Sequence, residues 1–398
     1  MRLLPARFLP ALLLAFLAAC GGGGTDSPTI DAGADTASDA SSQAPDAGDE
    51  PADAGQPEDA GAAGDAGEAA DAGEEPDAGE TDAGETTDAG EEPDAGGCVL
   101  PEAGEPGASG YRLDGWSWQK RGLLLDDPEA RAGDGYLAPA VVEANGALHL
   151  FFVRKTGLEQ RILYAKSTDG ESWTTPVPVT GLGSGTIFSS PSVQHAGRKF
   201  KMWFSSGGID LAESVDGLQW TVLASGVLGA GEGGAFDSLS VLYPSVVPEL
   251  SGYSLFYTGF NGQTYAIGRA LSADGLAWSR APATPVLSAG AAQEFDNTAV
   301  AQPRVLRTPA GYLMWFSGYD TSLTNPGPYR VGLARSDDGL SWTKAGVSLD
   351  LSAEGDDAYS TRDAAPFVWQ GAWRMVYVGM GTDYRYRLLL ADSAVCVP

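Results

Sequence analysis

Between Tyr136 and Ser393 the chain alternates apolar and polar residues in short runs, such as Ile162-Leu-Tyr-Ala-Lys-Ser167 and Val331-Gly-Leu-Ala-Arg-Ser336. A period of two predicts β-strands. Five copies of Asp-Gly-x-x-Trp punctuate the pattern, beginning at Asp114, Asp169, Asp216, Asp274 and Asp338. The last four carry Ser167, Ser214, Ser272 or Ser336 two residues ahead of the Asp. Asp-Gly between two strands predicts a hairpin, because Gly tolerates positive φ and Asp can bond its own turn. Each Trp supplies a large apolar surface for packing between neighbouring sheets.

A second element repeats upstream of the turns. It reads x-Pro-x-Val, then a turn, then an aromatic-rich strand. The copies are Ala138-Pro-Ala-Val141, Ser190-Pro-Ser-Val193, Tyr243-Pro-Ser-Val246, Gln302-Pro-Arg-Val305 and Ala365-Pro-Phe-Val368. Four strands per repeat, at a spacing of about 60 residues, predict the blades of a propeller. The fifth repeat ends at Ser393 without an outer strand, whereas Trp118 heads a strand with no earlier blade. The expected fold is therefore all-β: a five-bladed β-propeller over residues 98–398, with the N-terminal strand closing the last blade.

The region before this domain is of another kind. Arg2 and Arg7, the apolar run Leu9–Ala19 and the small residues before Cys20 predict a secretory leader over 1–20. Leu17-Ala-Ala-Cys20 resembles the lipobox of bacterial lipoproteins, which implies a lipid on Cys20 and anchorage in the bacterial cell envelope. Residues 21–97 repeat Asp-Ala-Gly ten times and hold 23 of the 53 acidic residues, with none of the 24 Lys and Arg. With no aromatics they cannot bury enough surface to offset ordering entropy, and form a disordered tether spanning on the order of 50 Å. The net charge of −29 thus belongs mostly to the tether. The domain is only mildly acidic and shows no basic patch, which argues against nucleic-acid binding. Cys98 and Cys396, at the two ends of the domain of an exported protein, are an expected disulfide.

The repeats resemble the five-bladed glycosidases of the arabinanase, β-xylosidase and levansucrase type across about residues 111–396. The stretches that carry this are Phe236-Asp-Ser with Tyr243-Pro-Ser-Val246, Phe295-Asp-Asn with Gln302-Pro-Arg-Val305, and Tyr312-Leu-Met-Trp-Phe-Ser-Gly-Tyr319. The turns also look like a shortened form of the sialidase Asp-box. The resemblance implies a carbohydrate ligand, and carboxylates on inner strands and channel-mouth loops acting as base or nucleophile and as acid. In the arabinanase branch an Asp stands directly before the inner-strand Pro. The five positions read here are Ala138, Ser190, Tyr243, Gln302 and Ala365, and none is acidic.

Other acids on the expected channel face are Asp237 and Asp296, in matching places of adjacent blades, and Asp363, which has no equivalent. These three are the catalytic candidates, Asp363 foremost. Arg304, Arg362, Gln302, Tyr243, Tyr319 and Asp320 are the candidate ligand contacts. The only histidines after the leader, His149 and His195, are far apart in sequence, so a His-based metal site is not expected. No cofactor is expected, and calcium among the channel acids has no loop signature behind it. The expected state is a monomer that binds or processes carbohydrate. A catalytically inactive protein-interaction or adhesion propeller is the alternative.

Overall fold

A computed structural model describes residues 118–396 apart from 184, 186 and 324–328. Cys20, the tether and Cys98 lie outside the described residues, so the lipid and disulfide expectations do too. Every regular element described is a strand. β1 (Trp118–Leu125) comes first. β2 (Gly135–Ala144), β3 (Ala147–Thr156), β4 (Glu159–Ser167) and β5 (Val177–Pro178) then pair in sequence. The same meander recurs in β6 (Ser189–Ala196), β7 (Lys199–Ser205), β8 (Ile209–Ser214) and β9 (Thr221–Leu228). It recurs again in β10 (Ser240–Pro248), β11 (Tyr253–Phe260), β12 (Tyr265–Ser272) and β13 (Ser279–Arg280). β14 (Ala299–Thr308), β15 (Gly311–Tyr319), β16 (Tyr329–Ser336) and β17 (Thr343–Leu349) repeat it once more. β18 (Ser360–Trp369), β19 (Ala372–Met380) and β20 (Tyr386–Cys396) follow, and β1 pairs antiparallel with β20, Trp118 opposite Ser393.

Burial explains the composition of each strand. Second strands such as β3 and β15 are buried on both faces, and their buried runs Leu148–Val153 and Leu313–Gly318 are apolar apart from His149 and Ser317. Outer strands β9 and β17 alternate exposed and half-buried residues, because only one face meets a neighbour. The sheets pack face to face in succession. Phe151 and Tyr164 meet Phe200 and Met202, Trp203 meets Leu255 and Tyr257, Phe256 meets Met314 and Phe316, and Trp315 meets Met375 and Tyr377. A further cluster packs Leu148 and Phe152 of β3 against Val376 and Val378 of β19.

The repeated turn does the work its sequence suggests. In all four described copies the Ser Oγ accepts the Gly N–H at 2.8–2.9 Å. The Asp Oδ1 accepts the next two N–H groups, 2.8 and 2.7 Å for Asp169. Those bonds hold the Asp169 carboxyl down at about 2. Gly170, at φ 78°, occupies the left-handed region that closes the turn. Trp118, Trp173, Trp220, Trp278 and Trp342 each join a different one of the five clusters.

Candidate functional site at the convergence of the inner strands

Each inner strand carries the same irregularity. Pairing with the second strand slips between Leu137 and Ala140, Ser189 and Ser192, Leu242 and Ser245, Ala301 and Arg304, and Arg362 and Ala365. The first residue inside each slip has positive φ: Ala138 49°, Ser190 53°, Tyr243 52°, Gln302 57° and Asp363 49°. Holding a side-chain-bearing residue there costs about 1–2 kcal/mol, so five repetitions mark a built feature rather than scatter. The five residues, with Arg304, line one pocket.

This register corrects the alignment read from proline. Pro366 pairs with Met375, as Val305 pairs with Met314, so Pro366 matches Val305 and not Pro303. The fifth member of the set is Asp363, two residues before the expected Ala365. Ala364 stands where the other inner strands have Pro139, Pro191, Pro244 and Pro303, so no Asp-Pro pair exists there.

Four of the five bulge N–H groups are satisfied from neighbouring repeats. Tyr243 N–H donates to Ser205 Oγ at 3.2 Å, Gln302 N–H to Thr258 Oγ1 at 2.8 Å and Asp363 N–H to Ser317 Oγ at 3.1 Å. Ala138 N–H donates instead to Asp363 Oδ2, at 3.1 Å. Arg362 Nε stands 3.6 Å from the same oxygen, and its guanidinium lies 4.5 Å from the Tyr329 ring and 5.8 Å from Tyr386. Burial pushes the Asp363 carboxyl up, against the pull of Arg362. Burial also raises the Tyr243 hydroxyl to about 12, so it is neutral near pH 7.

Of the residues expected at the site, Asp363, Arg304, Arg362, Gln302 and Tyr243 come together here. Tyr319 packs against Tyr329, with centroids 4.7 Å apart and the rings tilted by 34°. Asp320 is taken by a local turn, accepting the Ser322 N–H at 2.9 Å. Asp237 and Asp296 do not line this pocket. Asp237 is fully buried, pairs with Arg280 at 2.7 Å and accepts the Tyr257 hydroxyl. Asp296 pairs with Lys344 at 2.6 Å, and Asp357 pairs with Lys120 at 2.7 Å. In each case a cation two residues after the repeat Trp, on the outer strand, reaches the acid in the loop entering the inner strand of the same sheet.

Tyr329 and Tyr386 were missed from sequence. Their signal was a Tyr heading the third strand in three successive repeats, Tyr265, Tyr329 and Tyr386. A groove of about 640 Å³ beside β4 and β5 was also missed. Its rings, Tyr136 and Phe188, are each 7% exposed, so it offers Arg154 and Arg161 rather than a stacking surface. His149 is buried and satisfied: its Nδ1 lies 2.8 Å from the Tyr164 hydroxyl and its Nε2 3.2 Å from the Ala144 carbonyl. Among the described residues no three His, Cys, Asp or Glu side chains gather to hold a metal ion.

No protein-family profile matches the chain. A Mycobacterium tuberculosis protein, uncharacterized protein Rv1502, is 29% identical over 222 residues, covering 52% of this chain and 70% of its own. Among solved structures, the catalytic domain of a family 62 α-L-arabinofuranosidase from Coprinopsis cinerea superposes with a TM-score of 0.55 at 14% identity. That match covers 70% of this chain and 98% of the other. A family 117 glycoside hydrolase from Zobellia galactanivorans superposes with a TM-score of 0.54 at 14% identity, covering 71% and 91%. The chain thus shares the propeller-like fold of these glycoside hydrolases.

Proposed function

We propose that this protein is an exported lipoprotein whose domain binds carbohydrate. In this reading Cys20 carries the lipid and residues 21–97 hold the domain away from the membrane. The five strand repeats are the five blades of a propeller, with β1 completing the last blade and a Cys98–Cys396 bridge fastening the ends. The observation that carries the carbohydrate reading is the convergence of Tyr243, Gln302, Arg304 and Asp363 at one pocket, in a fold whose neighbours act on glycans. Guanidinium, amide, phenol and carboxylate are the groups that bind sugar hydroxyls in orientation.

Binding fits the pocket better than hydrolysis. Hydrolysis of a glycosidic bond takes two carboxylates about 5–10 Å apart, one to protonate the leaving oxygen and one to assist at the anomeric carbon. Among the described residues Asp363 is the only acid lining the pocket, and one of its oxygens already holds the Ala138 N–H. The test is a panel of plant and microbial polysaccharides, read both for released sugar and for a rise in melting temperature. The expected result is stabilisation without release. Release that disappears in Asp363→Asn would make the protein a hydrolase. Neither response would favour the inactive protein-interaction propeller.

A further inference from the structure

Among the described residues the pocket at the inner strands is lined by one cation and one anion, Arg304 and Asp363, so its walls carry no net charge. Burial pushes the Asp363 carboxyl up and the Arg304 guanidinium down, to about 10, and each ion opposes the other's shift. Each side chain is engaged at one edge. Asp363 Oδ2 holds the Ala138 N–H, and Arg304 Nη2 donates to the Pro139 carbonyl at 2.8 Å. Each also keeps a buried atom with no hydrogen-bond partner in the protein, Asp363 Oδ1 and Arg304 Nε.

Gln302 adds to this set. It is 4% exposed, lines the same pocket, and neither its Oε1 nor its Nε2 makes a hydrogen bond of ordinary geometry. The unanswered atoms are thus balanced: two acceptors, Asp363 Oδ1 and Gln302 Oε1, and two donors, Arg304 Nε and Gln302 Nε2. Buried polar atoms are costly when unanswered, so the balance selects the occupant. A halide or a carboxylate oxygen only accepts, and would face Asp363 Oδ1. A metal ion or an ammonium group would face Arg304 Nε. An O–H group both donates and accepts, and suits the whole set. The space is about 10 Å³, room for a single water-sized body. Tyr243 and Arg304 are only half-buried, so the pocket is not sealed from solvent.

We infer that this pocket seats one neutral hydroxyl oxygen, which accepts from Arg304 Nε and Gln302 Nε2 and donates to Asp363 Oδ1. Two sources share that chemistry: a water molecule, whose second proton goes to Gln302 Oε1, and an unsubstituted hydroxyl of a neutral sugar that displaces it. The second source rests on the carbohydrate reading, and the first does not. With a sugar bound, the seat sets specificity. It takes a free hydroxyl at one ring position and rejects a carboxylate, an acetamido group or an O-methyl group there.

The experiment has two arms. Crystals of the purified protein are soaked separately in sodium bromide and in rubidium chloride, and the pocket is examined for an anomalous peak. A single water and no peak from either ion are expected. In solution, L-arabinose, D-xylose and D-galactose are titrated by calorimetry, and a sugar that binds is followed by its deoxy and O-methyl derivatives, one ring position at a time. At one position, loss of the hydroxyl should weaken binding about tenfold or more, and O-methylation should abolish it. Gln302→Asn keeps a residue that tolerates positive φ but shortens the side chain by a methylene, and should restore binding of that O-methyl derivative. An ion in the pocket, or a sugar whose deoxy and O-methyl derivatives all bind as well as it does, would overturn the inference. A polysaccharide that binds while no monosaccharide does would overturn the sugar source. A water in the pocket with an empty polysaccharide panel leaves the seat standing and removes the carbohydrate reading. Sugar binding with an ion in the pocket does the reverse.

Discussion

Asp363 Oδ2 accepts the Ala138 N–H at 3.1 Å, joining the inner strand of the last repeat to that of the first. At three other junctions a hydroxyl on the second strand of the preceding sheet does this job: Ser205, Thr258 and Ser317. The matching position on β19 is Val378, since Arg362 pairs with Val378 as Ala301 pairs with Ser317. Valine has no acceptor. The carboxylate of Asp363 stands in for the missing hydroxyl, which gives this buried acid a structural role whether or not it touches a ligand.

Asp363→Ala orphans a buried N–H and leaves Arg362 without its acid. It should therefore lower unfolding stability by about 3 kcal/mol in urea titrations. Adding Val378→Thr restores a hydroxyl at the equivalent place and should recover about 1 kcal/mol of that loss. Absence of any recovery would mean that the N–H finds another partner.

The outer-strand ion pairs make a separate prediction. Arg280→Met strands the fully buried Asp237 and should cost about 3 kcal/mol. In an Asp237→Asn background the same change should cost much less. A double-mutant cycle by chemical denaturation measures the difference.

His149 sets an acid limb. Burial lowers its pKa below the ordinary value of about 6.5, so the unfolded chain takes up a proton first as pH falls. Its contribution is complete above that value and is lost as pH drops through it toward the folded pKa. Urea midpoints at pH 8 and pH 5 should therefore differ less in His149→Gln than in the parent protein.

The proposed anchor and bridge are tested directly. Cys20→Ala should move the protein from the membrane fraction to the soluble fraction. Thiol labelling of the unfolded mature protein should find Cys98 and Cys396 blocked until a reductant is added.

The all-β class, the recurring four-strand unit and its Trp-bearing turns were legible in the chain because they rest on local causes. A period of two, a Gly at positive φ and a Ser-x-Asp pair that bonds its own turn act within a few residues. Asp363, Arg362, Arg304, Gln302 and Tyr243 could be listed from sequence as site residues. What each one does there could not. The bulge register of β18 depends on pairing with β19, and a Pro displaced by two residues concealed that Asp363 matches Gln302. The cations paired with Asp237 and Asp296 lie more than forty residues away, on strands that the sheet alone brings back to them. The place of Arg304 is likewise a property of three inner strands meeting, because only their convergence brings its guanidinium to the Pro139 and Pro191 carbonyls and into one pocket with Asp363.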